Sequence, residues 1–430
     1  MTYNASIDLI GTGYDYDNGK FLGVTYNLPK LPDEKDIIGY NLPSAKQRWV
    51  RPILPTDYEI KSYSEESKLE IITRELLRRK NGLYFFNNGI PTYITGGHYF
   101  YLTYWYMAAL TKDGYPQYRW SNALTEYFID YCEKDENSFG AIMLMNKRDG
   151  KTERSISHIY NTATLLEHDC DFGMQSLNST EAKNNLFKGR LMRSHKMIAN
   201  YLKPVSNETN SSKEIMSELR FMGDKDKEGN YKNALNNKID WRPTLVSAYQ
   251  GKRPRNVFLD EPGTVEEMDI ELWWSTLREQ LAYEDIIFGK AFLPTTLETM
   301  TNKGAVGFKN IWDKSDFNER DANNRTKSGL YRYFKPYYYG RMVDDYGNDQ
   351  VEEAKIFREN YLANASIEDA RKYKRQYPAT EAEAFDSIKA DKSAMLCLFK
   401  DSGICDFFNR GENIFSTSAW LFSNPTRDSF

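Results

Sequence analysis

The stretch 140-GAIMLMNKRDGKTERS constrains this chain more than any other. Apolar, strand-type residues run toward Gly150-Lys151-Thr152, and a helix-forming segment follows. The N–H groups at the start of a helix have no partner within it, so a strand, a tight loop and a helix in that order present donors to an anion. The usual G-x-x-x-x-G-K-[ST] loop has a glycine in the slot that Met145 fills here. Both flanks nevertheless suit a phosphate loop better than a surface turn. On this reading Asn146, Lys147, Arg148, Asp149, Gly150, Lys151 and Thr152 form an ATP-binding loop. Lys151 then reaches the β- and γ-phosphates, and the Thr152 hydroxyl is a ligand for Mg²⁺.

Such a loop needs a second strand that ends in acids beside the metal. Residues 255–261 read RNVFLDE, an apolar run closing on Asp260 and Glu261. Asp260 is placed to hold Mg²⁺, directly or through water, and Glu261 to orient or deprotonate the attacking water. Further on, 286-IIFGKAFLPTTLETM ends its apolar run at Thr295 and Thr296, hydroxyls suited to sense the γ-phosphate.

The remaining pattern fills in an architecture. A capped, amphipathic stretch predicts a helix over 64–80, and 81-NGLYFFNNGIPTYITGG predicts short strands broken at Asn-Gly and Gly-Gly. The block 98-HYFYLTYWYMAAL is aromatic on nearly every face, as helix or strand, and serves either as core or as an adenine-stacking surface. Strand 139–147, helix 150–167, strand 171–177 and a long amphipathic helix from 178 alternate, which predicts an α/β fold. The expected fold is a P-loop NTPase with a central, mostly parallel sheet flanked by helices, plus an irregular N-terminal region. The expected division is an arm and helix at 1–80, an ATPase domain at 81–385 with an exposed polar insertion at 206–240, and a tail at 386–430.

Charge and cysteines exclude other classes. A net charge of −4 rules out a polycation, so any nucleic-acid contact must come from local patches such as 188-KGRLMRSHK and 251-GKRPR. Cys132, Cys170, Cys397 and Cys405 lack C-x-x-C spacing, and His98, His158, His168 and His195 form no metal signature. There is no leader pattern at the N-terminus and no apolar run of the ~18 residues that span a bilayer, so a soluble, intracellular protein is expected.

With these motifs in order, the chain resembles the ATPase half of the large terminase subunit of tailed bacteriophages. Phosphate loops of that family commonly lack the first glycine and carry basic residues ahead of Gly-Lys. The resemblance puts the early basic residue on Lys147, with Arg148 next to it, and leaves open which of the two serves the phosphates in catalysis beside Lys151 and Glu261. The stretches 293-LPTTLETMTNKGAVGFKNIWDKS, 330-LYRYFKPYYYG and 376-QYPATEAEAF resemble the coupling motif, with Thr295 and Thr296, and the segment that closes the ATPase core. The block at 96–105 falls where the family binds adenine.

The resemblance implies an Mg²⁺-dependent ATPase that moves double-stranded DNA into a procapsid. It also implies a portal protein and a small terminase subunit as partners, a homo-oligomeric ring on the portal, no membrane, and the host cell cytoplasm as location. Family members continue into a nuclease domain. The 45 residues after Phe385 are too short for one, so no cleavage activity is expected. Two alternatives stand beside this reading: another DNA-dependent P-loop ATPase or helicase, and a nucleotide-binding assembly protein without turnover.

Overall fold

The computed structural model describes residues 5–15, 18–107, 113–208, 217–225, 231–232 and 235–386. Two compact units are separated at Phe385; beyond Asp386 the second lies outside the described residues. In the first unit a seven-stranded sheet is built from β1 (Gly140–Leu144), β2 (Asp171–Ser176), β3 (Glu218–Arg220), β4 (Lys238–Pro243), β5 (Pro254–Leu259), β6 (Lys290–Thr295) and β7 (Tyr331–Phe334). Its spatial order is β7-β1-β6-β5-β2-β4-β3, and every pairing is parallel except that of the edge strand β3 with β4. This is the α/β arrangement expected for a P-loop fold.

Parallel strands covered on both faces need apolar residues on both, and β1 is buried at every position. Successive side chains point to opposite faces. Ala141 and Met143 accordingly join one core, while Ile142 and Leu144 join the other. The first core is made with α1 (Glu65–Asn81), α2 (Gly96–Tyr104), α3 (Trp120–Lys134) and α4 (Lys151–Asn161). The second is made with α5 (Ile270–Gln280) and α6 (Lys303–Asp313), whose Trp273, Trp274, Phe308 and Trp312 are buried.

Several sequence expectations hold locally. Helix α1 starts at Ser64, whose Oγ accepts from Ser67 N. The Asn-Gly break becomes a two-residue turn, Asn88 (φ 48°) and Gly89 (φ 80°), between the antiparallel strands Leu83–Asn87 and Ile90–Ile94. Of the two forms open to the aromatic block, its described start is helical through Tyr104, and Tyr99, Phe100, Leu102 and Trp105 are fully buried, with Phe100 stacked on Tyr160 at a centroid distance of 5.6 Å.

The helix expected from 178 is wound as a π-helix over Glu181–Met192 before an α-helical turn at Arg193–Met197. Gly189 fits that winding, since a Cβ there would lie 2.7 Å from Asn184 O, five residues back. The polar segment 206–240 is not wholly exposed. Leu219, Phe221 and Ile239 are fully buried, and the segment supplies β3 and the start of β4. These three stand among mostly polar residues, too weak a pattern to mark strands in the sequence. Among the described residues no helix is long and apolar enough to cross a membrane.

His98 on α2 is fully buried, and neither ring nitrogen has a hydrogen-bond partner. Burial, with a smaller push from Arg154, lowers its pKa from 6.5 to about 3. The native state therefore stays unprotonated at pH values where the unfolded chain binds a proton. This contribution is intact above pH 6.5 and is lost as pH falls toward 3, at about 1.4 kcal/mol per pH unit. Urea unfolding at pH 7.5 and 5.5 should show His98→Phe with a pH slope lower than the wild type's by that amount, since His195 and Asp260 contribute equally to both proteins; an unchanged slope in the variant would contradict the assignment.

Candidate nucleotide site

Because β6 lies between β1 and β5, the C-terminal ends of these three strands stand side by side. They carry the 146–152 loop, Thr295-Thr296 and Asp260-Glu261 to one place. The loop leaves β1 with Met145 N donating to Thr295 O, so the loop and the β6 end are joined from the first residue. Arg148 (φ 65°) and Gly150 (φ 79°) both adopt left-handed backbone. Gly150 is the N-cap of α4, and no side chain caps that helix. Its first-turn N–H groups therefore remain available to an anion.

Lys151 is buried, with its Nζ 2.6 Å from Thr296 Oγ1 and 2.8 Å from Glu261 Oε1. Thr152 Oγ1 donates to Asp260 Oδ1 at 2.8 Å. Thr296 N donates to Glu261 Oε2 at 2.7 Å, and Thr295 Oγ1 approaches the same oxygen at 3.3 Å. Thr295 Oγ1 also accepts from Gly263 N at 3.0 Å, which ties β6 to the turn after the acids. Glu261 sits in left-handed backbone (φ 51°, ψ 50°), a conformation that costs a non-glycine residue about 1–3 kcal/mol and concentrates at functional positions.

Burial, and after it the charge of Glu261, pushes the Asp260 carboxyl up to about 7. A cation at that carboxylate favours its charged form and reverses the effect of burial. The Thr152 hydroxyl and the Asp260 carboxylate are hard oxygen donors 2.8 Å apart beside an uncapped helix start. That donor set fits Mg²⁺, which takes one or two protein oxygens and completes its shell with water and phosphate.

The other loop residues make contacts of their own. Lys147 pairs with Glu298 at 2.5 Å, half-exposed, and Gln376 Nε2 donates to the same Glu298 oxygen at 3.0 Å. The Lys147 amide is engaged as well, donating to Gln376 O at 3.0 Å. Arg148 is exposed and has no partner among the described residues. Asn146 Nδ2 donates to Pro336 O at 3.2 Å, and the Asn146 backbone carbonyl faces Lys151 Nζ at 3.4 Å. The Asp149 carboxylate is turned inward, onto Arg154 and Lys335.

Sequence reasoning missed two neighbours. Glu153, on the first turn of α4, accepts from Trp105 Nε1 at 2.7 Å and from Arg190 Nε at 2.9 Å. Arg190 comes from the π-helix, and its charge helps to lower the pKa of Asp260. Of the two basic patches, the first thus loses Arg190 to this pair. The second loses Arg255 to ion pairs with Glu133 and Glu167, at 3.0 and 2.7 Å. Arg193, Lys196 and Arg253 remain exposed.

Neither the family models nor the curated proteins give a match to this sequence. Among solved structures, the large terminase ATPase domain of Thermus phage P74-26 aligns at 9% identity and a TM-score of 0.38, over 58% of this chain and 92% of that one. The large terminase of bacteriophage HK97 aligns at 11% identity and a TM-score of 0.39, over 65% of this chain and 53% of that one. The large terminase of another thermophilic bacteriophage, in complex with ADP, aligns at 12% identity and a TM-score of 0.33, over 57% of this chain and 48% of that one. This chain therefore spans about half the length of the last two. These three, to which the chain is similar, are phage large terminases or the ATPase domain of one.

Proposed function

We propose that this chain is an Mg²⁺-dependent ATPase and the motor part of a viral DNA-packaging machine. One observation carries the ATPase reading: Lys151 lies between Thr296 and Glu261, within 2.8 Å of both, while Thr152 bonds Asp260. The cation for the phosphates, the base, the metal donors and the hydroxyl of the neighbouring strand converge on the uncapped start of α4. The packaging reading is finer, and it is supported by the order of the terminase-like motifs along the sequence.

In this reading the amides of Arg148, Gly150, Lys151 and Thr152 and the Lys151 ammonium bind the triphosphate. Mg²⁺, when bound, neutralises charge on the phosphate oxygens. Thr152 and Asp260 would hold it. Lys151 leaves Glu261 Oε1 for the phosphates, and that oxygen then accepts the proton of the attacking water. Glu261 Oε2 stays on Thr296 N, so the base keeps its orientation. Thr295 and Thr296 transmit loss of the γ-phosphate along β6, and Lys147 or Arg148 supplies further positive charge. The proposed partners are double-stranded DNA, a portal protein, a small terminase subunit and further copies of the chain in a ring, in the host cytoplasm.

Linear duplex DNA should stimulate hydrolysis, and the stimulation should weaken steeply between about 50 and 200 mM salt, as phosphate contacts do. Hydrolysis indifferent to duplex DNA would overturn the packaging reading and leave the ATPase. Thr152→Val keeps the side-chain shape and deletes the oxygen. It should raise the Mg²⁺ concentration needed for half-maximal turnover by about tenfold, one ligand's share of a hydrated ion. An unchanged Mg²⁺ requirement would remove Thr152 from the metal site.

A further inference from the structure

Asp149 is an odd residue for a phosphate loop, because a carboxylate beside a polyanion repels it. The structure resolves this by hiding the charge. The Asp149 side chain is only 7% exposed. One oxygen accepts from Arg154 Nη2, and the other accepts from Lys335 Nζ at 2.7 Å. Asn122 Oδ1 closes the circuit, accepting from Arg154 Nη1 at 2.5 Å and from Lys335 Nζ at 3.0 Å. Four groups from four segments thus form a ring: the loop, α4, α3 and the residue just past β7. Arg154 and Lys335 are buried to within 2% of completely. Glu126, 3.9 Å from Arg154 Nε, is pushed toward its neutral form by burial.

The ring also acts on backbone shape. Asp149 stands between Arg148 and Gly150, the loop's two left-handed residues. Such a pair of reversals turns successive amides the same way, and it holds for a non-glycine such as Arg148 only where its surroundings fix it. The pinned side chain between them supplies that constraint. Around it, Lys335 N donates to Leu144 O, and Asn146 Nδ2 donates to Pro336 O, so the segment after β7 cradles the whole loop.

We propose that Asp149 is a positioning residue: through Arg154, Lys335 and Asn122 it holds the loop in its anion-binding shape and keeps its own charge away from the phosphates. The proposal rests on the nucleotide reading of the loop. Asp149→Asn in the full chain keeps the volume but sets an amide donor against one of two cationic donors. Binding of a fluorescent ADP should weaken at least tenfold. The KM for ATP should rise by a similar factor while kcat stays within about threefold, because Lys151, Asp260 and Glu261 are untouched. A general loss of packing would instead lower kcat with the fraction folded and leave KM unchanged.

Asn122→Ala cuts the ring without touching a charge, and it carries the test if Asp149→Asn fails to fold. Its expected effect is a rise of at least threefold in KM with kcat again preserved. Unchanged ADP affinity in the folded variant, or a loss confined to kcat, overturns the proposal. Lys151→Ala is measured in parallel. If it binds ADP as the wild type does, the nucleotide reading itself fails; if it does not, the Asp149 result stands alone.

Discussion

Replacing Glu261 with glutamine should leave ATP bound and lower phosphate release by about 10²–10⁴-fold, the contribution of a positioned general base. The variant keeps the side-chain length and the bond from Thr296 N, and it loses the capacity to take a proton. It also loses the 2.8 Å ion pair with Lys151, which frees that ammonium for phosphate. ATP affinity should therefore be equal to or tighter than that of the wild type. Single-turnover phosphate release and filter binding of labelled ATP measure the two separately. Turnover within threefold of wild type would remove Glu261 from the chemistry. A parallel loss of binding would make it a structural partner of Lys151 instead.

Trp312→Ala should cost about 3–5 kcal/mol, the range for deleting a large buried aromatic. Trp312 is 1% exposed on α6, where it packs on Phe308 with centroids 5.9 Å apart and on Phe385 at 5.8 Å. Its Nε1 donates to Glu381 at 2.9 Å. The substitution removes the anchor of the short helix Glu381–Ala384 as well as opening a cavity. Urea titration should show the midpoint falling while the m-value holds. Trp312→Phe, which keeps most of the packing but not the donor, should lose about 1–2 kcal/mol of that total. A loss below about 1 kcal/mol for the alanine variant would mean that the 376–385 segment is not part of the folding unit.

The same tryptophan shows what was legible in advance. The Phe308-x-x-Ile311-Trp312 spacing and the 381-EAEAF run were both visible as motifs. That one tryptophan joins them across ~70 residues was not, because a contact between segments leaves no periodicity in either. The alternation of strand and helix, the mostly parallel sheet, and the strand ends that carry Lys151, Asp260, Glu261 and Thr296 were legible. Gly-Lys-Thr between strand and helix signals, and the apolar run ending in Asp260 and Glu261, could be read from the residues in order.

Side-chain direction within the loop was not legible. Asp149 reads as another loop residue until Lys335 and Arg154 are seen beneath it. Its partners lie 5 and 186 residues away, on elements whose order in the sheet the sequence does not state. The role of the aromatic block was open for a related reason. Aromatic rings suit a base and a core equally, and only burial of Tyr99, Phe100 and Trp105 separates the two. The π-helix was illegible because its amphipathic residues fit an α-helix as well, with Gly189 the single trace of the wider turn.

The most direct measurement is Mg²⁺-dependent phosphate release from ATP by the purified chain, beside Lys151→Ala under identical conditions. The account predicts turnover in the wild type and, in the variant, loss of both nucleotide binding and turnover by at least about 10²-fold, since the loop's charged phosphate contact is gone. Equal nucleotide binding and equal phosphate release in the two proteins would contradict it.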